Sequence, residues 1–308
     1  MTTETTLKPC IEISKTGIQK LETFFKIAAT KVETAFMEID PQEETIRLNC
    51  MDPAHITQTI HVINAKEDGD FIITGLDKIL QFNVNVRDFN KILTLNENKD
   101  IRIYPDIDEN NNFDMLRIHI SENNVNLKQI FVPIHDVTNP DMFPKTMKLV
   151  TSLINSNNSV TINMELDFLG EILKDSEIFQ NERLQWSVII NNKTIENLSI
   201  ETFDTDTDKT RRIKTNLFQG LHFNTKKVSI SNDRLKKYNV LFNFSDLKNI
   251  LVNSKIYTTV QIIIADKNPL GILYDTDSNG FATVGNTLTT LLAPIVTPED
   301  DETEQENV

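Results

Sequence analysis

Alternation with a period of two runs through most of this chain and limits what it can fold into. Cys10-Ile11-Glu12-Ile13, Thr45-Ile46-Arg47-Leu48-Asn49-Cys50, Leu116-Arg117-Ile118-His119-Ile120 and Thr259-Val260-Gln261-Ile262-Ile263-Ile264 all alternate apolar with polar residues. Successive side chains of a strand point to opposite faces, so these segments read as half-buried strands of antiparallel sheet. Clusters of Asn, Asp, Lys and Thr between them supply the turns of a strand-rich, hairpin-joined fold.

Helical spacing stands out in four places. Over residues 15 to 33, Ile18, Leu21, Phe25 and Ala28 form one apolar stripe. Residues 86 to 95 group Phe89, Ile92 and Leu93, and 165 to 178 group Leu166, Leu169, Ile172 and Leu173. Residues 245 to 254 group Leu247, Ile250 and Leu251 behind Ser245, which reads as an N-cap. Asp88-Phe89-Asn90-Lys91-Ile92-Leu93 and Asp246-Leu247-Lys248-Asn249-Ile250-Leu251 share one pattern half a chain apart, which suggests a duplicated α+β domain with two helices per copy. A chain of 308 residues is long enough for two such cores.

Between the halves lies Pro133-Ile134-His135-Asp136-Val137-Thr138-Asn139-Pro140-Asp141-Met142-Phe143-Pro144-Lys145. Its three prolines argue against a central strand or a helix, so an extended connector is expected. Met142 and Phe143 are apolar where a plain linker would be polar. They either pack on the domain beneath or receive a partner.

The net charge of -14 argues against phosphate binding by the chain as a whole. Glu299, Asp300, Asp301, Glu302, Glu304 and Glu306 lie in the last ten residues, and setting those six aside leaves -8. At about 100° per residue, Lys20, Lys26 and Lys31 fall opposite the apolar stripe of the first helix. Arg87 and Lys91 point away from Phe89 and Ile92, and Lys248 flanks the polar side of the fourth helix. The third helix carries Asp167, Gly170, Glu171 and Lys174 outward and is less basic. Locally basic helix faces on an acidic chain segregate charge, although a solvated amphipathic face would show lysines too.

Residue patterns for catalysis are scarce. His55, His61, His119, His135 and His222 include no i,i+4 pair for a metal, and Cys10 and Cys50 read as small core residues. Gly280-Phe281-Ala282-Thr283-Val284-Gly285-Asn286-Thr287 puts Asn286 where a phosphate loop needs lysine. Asp204-Thr205-Asp206-Thr207-Asp208 starts like a calcium loop, but Lys209 and Thr215 replace its glycine and glutamate. No metal, no cofactor and no enzymatic activity are expected.

Met51-Asp52-Pro53-Ala54-His55-Ile56 resembles the Met-Asp-Pro-Ser/Ala-His-Val segment of archaeal and eukaryotic DNA sliding clamps, the family of proliferating cell nuclear antigen. Asp246 to Leu251, Val260-Gln261-Ile262 and Asn268-Pro269-Leu270-Gly271-Ile272-Leu273-Tyr274 are similar to the last helix and following strands of archaeal clamps. Leu291-Leu292-Ala293-Pro294-Ile295 resembles the family's Tyr-Leu-Ala-Pro-Lys-Ile, which also precedes an acidic tail.

The resemblance implies a ring, expected here as a homotrimer, of α+β subunits built from duplicated clamp domains. Helices would line a hole for duplex DNA, and antiparallel sheets would form the outside. It divides the chain into 1–134, a connector 135–145, 146–296 and a disordered acidic tail 297–308. Lys20, Lys26, Lys91, Lys174 and Lys248 would face DNA, with Arg87 and Lys31 added from helix geometry. DNA polymerase, a clamp loader and other partners would insert a helical, aromatic-bearing peptide against Met51, His55, Ile56, Met142, Phe143, Pro269, Leu291, Ala293 and Pro294. Ring closure would pair a strand at Met115 to Ser121, with Leu116, Ile118 and Ile120, to one at Arg211 to Leu217, with Arg212 and Ile213. Departures from the family are Glu171 for an arginine, Gln58 for an apolar residue, Leu291 for a tyrosine, and extra length at 204–237, 275–287 and the tail.

This makes the chain a polymerase processivity clamp by expectation. A subunit of a heteromeric damage-checkpoint ring, a binding scaffold of the same fold and an acidic β-rich hydrolase are the alternatives. Met1-Thr2-Thr3-Glu4 opens without a basic and then apolar stretch, and no apolar run is long enough to span a bilayer. The expectation is an intracellular protein without a membrane: nuclear if eukaryotic, in the cytoplasm or nucleoid if archaeal, at the replication site if viral.

Overall fold

The computed structural model describes residues 9–65, 69–107, 113–123, 125–137, 142–154, 159–177, 182–191, 194–203, 212–216, 236–251, 254, 256–265, 268–275 and 288–295. The tail, most of the extra-length regions and the loops beginning at Asp204 and Gly280 lie outside them. In chain order the first half runs β1 (Cys10–Ile13), α1 (Lys15–Ala29), β2 (Thr34–Asp40), β3 (Thr45–Met51), β4 (Thr57–Asn64), β5 (Phe71–Thr74), β6 (Leu80–Asn85), α2 (Val86–Leu95), β7 (Asp100–Ile107), β8 (Phe113–Glu122) and β9 (Val125–His135). After α3 (Met142–Ile154) follow β10 (Ser159–Glu165), α4 (Leu166–Ser176), β11 (Arg183–Asn191), β12 (Thr194–Phe203), β13 (Arg212–Asn216), β14 (Lys236–Asn243), α5 (Phe244–Ile250), β15 (Thr259–Ala265), β16 (Leu270–Asp275) and β17 (Leu288–Leu292). Apart from β5 and α3, the order of strands and helices repeats from one half to the other.

Among the described residues the strands form two antiparallel sheets. One runs β10-β15-β16-β17-β4-β3-β2-β6-β9-β8-β7-β1-β5 and the other β13-β12-β11-β14. The larger sheet joins the halves where β17 pairs β4, from Leu288 opposite His61 to Leu292 opposite Thr57. Thr59 and Thr290 share a buried hydrogen bond of 3.2 Å across that seam.

Alternation along the central strands decides which layer each residue joins. On β15, Val260, Ile262 and Ile264 enter one core and Ile263 and Ala265 the other. The larger core receives the apolar stripes of α1, α2, α4 and α5 together with Trp186 of the smaller sheet, so these four helices share one face. The opposite face is covered locally by α3, whose Val150 and Leu153 pack on Ile60, Val62, Leu273 and Leu291.

The four expected helices are present, α2 over the expected 86–95 and the other three ending two to four residues earlier. Asn243 rather than Ser245 caps α5, its side chain accepting the Asp246 N–H at 3.1 Å, as Asn85 accepts the Asp88 N–H at 3.0 Å on α2. The extended connector is corrected by α3, which begins within it. Pro144 sits in the first turn of α3, where helix N–H groups lack partners in any case. Pro133 is on β9, whose second neighbour β6 meets it only at Ile134 and His135.

Ser14 caps α1 by accepting the Gly17 N–H at 3.1 Å, and this first turn lies against the chain at Asp70. A Cβ on Gly17 would fall 2.4 Å from the Asp70 carbonyl oxygen. Gly17→Ala therefore destabilises the fold although alanine gains about 1 kcal/mol of helix propensity, because relieving the clash costs about 1–3 kcal/mol. Urea unfolding checks this: the variant has a lower midpoint than the wild type.

Candidate nucleic-acid interface and partner surface

Side-chain bonds tie the four helices edge to edge. Thr94 on α2 donates to Glu22 of α1 at 3.1 Å, and Lys31, just past α1, is paired with Asp246 of α5. Lys248 of α5 is paired with Glu177 at the C-cap of α4. The result is an array α2–α1–α5–α4 across the junction of the halves.

The structure distributes the seven expected DNA-facing residues unevenly along this array. Lys20 is 6% exposed and pairs with the buried Asp70 at 2.5 Å. The assignment of Lys20 to an outward face is corrected: the arc opposite the apolar stripe is covered there by the chain at Asp70. Lys26 is partly exposed and pairs with Glu22 at 3.0 Å. Arg87, Lys91 and Lys174 are exposed and carry no ion pair among the described residues. Glu171 and Asp175 stand exposed beside Lys174, which weakens the positive field on α4.

The hairpin between β3 and β4 is built by Asp52. Its carboxylate accepts the Ile56 N–H at 2.7 Å, the Thr57 N–H at 3.1 Å and the Thr57 hydroxyl at 3.0 Å. His55 adopts φ of 57°, with Nδ1 2.8 Å from the Met51 sulfur, and remains exposed with Ile56. The Ala293 N–H donates to the Ile56 carbonyl at 2.8 Å, which brings Ala293 and Pro294 to the hairpin. Pro269 stands next to Leu270, the partner of Leu292, and so joins the same group.

Two expected pocket features differ. Leu291 is 4% exposed beneath α3, so it is a covered floor residue in this chain and not an open one. Sequence reasoning missed Gln58 and Thr146 as partners: Gln58 lies between Met51 and Leu291 in the sheet, and its amide donates to the Thr146 hydroxyl of α3. The spacing Thr146, Val150, Leu153 was the available signal for α3, masked by the prolines around it. Met142 and Phe143 open α3, and their side chains lie outside the described residues.

The expected edge strand is also corrected. β8 lies between β7 and β9, and its Leu116, Ile118 and Ile120 are core residues. Among the described residues β9 has an open edge over most of its length, with Val125, Leu127 and Phe131 exposed. β13 pairs only with β12 among the described residues, leaving Arg212 and Ile213 on an edge strand whose side chains are not described.

The two titrating groups with the largest perturbations, His61 and Cys50, belong to the core. Burial, with Lys20 adding to it, pushes His61 down to about 3, and Nε2 lies 3.0 Å from the Tyr257 hydroxyl. Burial likewise pushes the Cys50 thiol up to about 12. Among the described residues no three His, Cys, Asp or Glu side chains converge for a metal, and no helix is long and apolar enough to cross a membrane.

No family model matches the chain, and no curated protein matches it in sequence. In shape it is similar to the crystal structure of PCNA from Thermococcus kodakaraensis, with a TM-score of 0.65 over 94% of this chain and 100% of that one. The fold is that of PCNA. At 12% identity the likeness extends to the architecture alone.

Two outcomes follow from the buried groups. Lys20→Met removes the cation paired with the buried Asp70 and costs about 3–5 kcal/mol in chemical unfolding. His61 is neutral when folded and protonates near 6.5 when unfolded, so its contribution to stability falls as pH drops through 6.5 towards 3. Between pH 7 and pH 5 the wild type should lose about 2 kcal/mol relative to His61→Gln, measured by urea unfolding at both values.

Proposed function

We propose that this chain is a DNA sliding clamp, a non-enzymatic processivity factor whose copies close into a ring around duplex DNA. The observation that carries the reading is the array of α2, α1, α5 and α4 on one face of a sheet continuous across both halves, in a chain with the PCNA fold. Three copies placed edge to edge would turn these arrays towards a common hole. The open edge of β9 would pair with β13 of the next copy, satisfying exposed backbone groups and covering Leu127 and Phe131.

Arg87, Lys91 and Lys174 would meet phosphates directly, with Lys26, Lys31 and Lys248 able to exchange acidic partners for phosphate. Such contacts position DNA without reading bases, so the ring would slide. Because several lysines already have carboxylate partners, retention would rest on enclosure more than on attraction. DNA polymerase, a loader and other partners would dock at Met51, His55, Ile56, Pro269, Ala293 and Pro294, with the side chains of Met142 and Phe143 contributing.

Enclosure is tested without a loader by threading onto linear duplex DNA. Protein is mixed with biotin-ended duplex, both ends are then capped with streptavidin, and the complex is passed over a sizing column in moderate salt. The ring is expected to be retained when caps follow mixing, and lost when caps precede it or are omitted. Equal retention in all three cases contradicts the reading. Arg87→Ala, Lys91→Ala and Lys174→Ala combined should keep this pattern while making salt dependence shallower, by up to about 0.9 in logarithmic slope for each phosphate no longer neutralised.

A further inference from the structure

We infer that α3 is a built-in, displaceable occupant of the partner groove, so that a docking peptide competes with the chain's own helix. The inference rests on the clamp reading for the identity of the competing partner and on the structure for the occupant. Thr146, Val150 and Leu153 recur at i, i+4 and i+7, the spacing with which a helix lies in a groove. Val150 and Leu153 are buried on the apolar strip of Ile60, Val62, Ile263, Ala265, Leu273 and Leu291. Leu291 and Gln58 are the strand neighbours of the hairpin that displays His55 and Ile56, so the strip runs into the partner surface. Gln58 is where clamps of the resembled family carry an apolar residue. Here its amide has a specific use, donating to Thr146.

The groove is shaped for this helix. A Cβ on Gly271 would come within 2.8 Å of Leu153 Cδ2, so the missing side chain makes the seat for that leucine. Among the described side chains of α3 the attachment is nonetheless narrow. Lys145, Lys148, Leu149, Thr151 and Ser152 are exposed, whereas α1 buries two thirds of its fifteen residues. A 13-residue helix is marginal by itself, and an element with few buried apolar side chains opens at lower free energy than the core. An amphipathic helical peptide offering apolar side chains at the same spacing would therefore take the strip when α3 leaves it. Its apparent affinity would be reduced by the fraction of time α3 is docked.

The test uses the full chain and a labelled synthetic peptide copying residues 142–154, read by fluorescence anisotropy. Val150→Asp combined with Leu153→Asp undocks α3 and should bind this peptide about tenfold more tightly than the wild type, the case in which α3 is docked nine-tenths of the time. Equal affinity for both proteins overturns the inference. Hydrogen exchange on the wild type supplies a check that needs no substitution. The α3 amides should exchange about tenfold or more faster than those of β15 and α1, through opening of α3 alone. Protection of α3 equal to that of β15 overturns the inference as well. A chain that gains peptide affinity but fails to thread DNA would sink the clamp reading and leave the displaceable helix standing.

Discussion

Pairing between β17 and β4 is the constraint on which the rest of this structure depends. It runs from Leu288 opposite His61 to Leu292 opposite Thr57, and makes one sheet out of two halves of similar element order. Because strand side chains alternate, a continuous sheet has two continuous faces. One collects the stripes of α1, α2, α4 and α5, and the other is left for the segment that links the halves. The seam is secured by Thr59 with Thr290 and by His61 with Tyr257. Slipping this register by one residue would exchange the faces and scatter the helix array.

Electrostatics on the helix array divide into structural and available charge. Lys20 with Asp70 fixes the start of α1, Lys31 with Asp246 joins the halves, and Lys248 with Glu177 joins α5 to α4. Arg87, Lys91 and Lys174 are exposed and stand outside these pairs. Under the proposed clamp reading, a surface arranged this way would hold a polyanion weakly and without sequence preference, as a ring that confines DNA while letting it move requires.

Much of the fold was legible because its signals are periodic. The alternation of β1, β3, β8 and β15 and the stripes of the four helices depend on local spacing, and Asn85 and Asn243 cap two of those helices in the same way. Legibility ended where a residue's role depends on distant chain. Lys20 lies on the polar arc of its helix, yet Asp70 is fifty residues away and buries it. Leu116, Ile118 and Ile120 alternate as an edge or a central strand would, and only β7 and β9 on either side distinguish the two. In α3, Pro144 reads as a breaker until it is placed in a first turn. The hairpin proposed to receive partners was the best-marked part of the candidate site, since Asp52 organises it through bonds confined to six residues.

The mass of the purified protein in solution, measured by light scattering over a range of concentrations in moderate salt, tests the central claim most directly. A ring of three requires a particle of three times 35.3 kDa. A particle of 35.3 kDa at every concentration would show that the open edge of β9 is not used between copies, and would contradict a self-sufficient clamp.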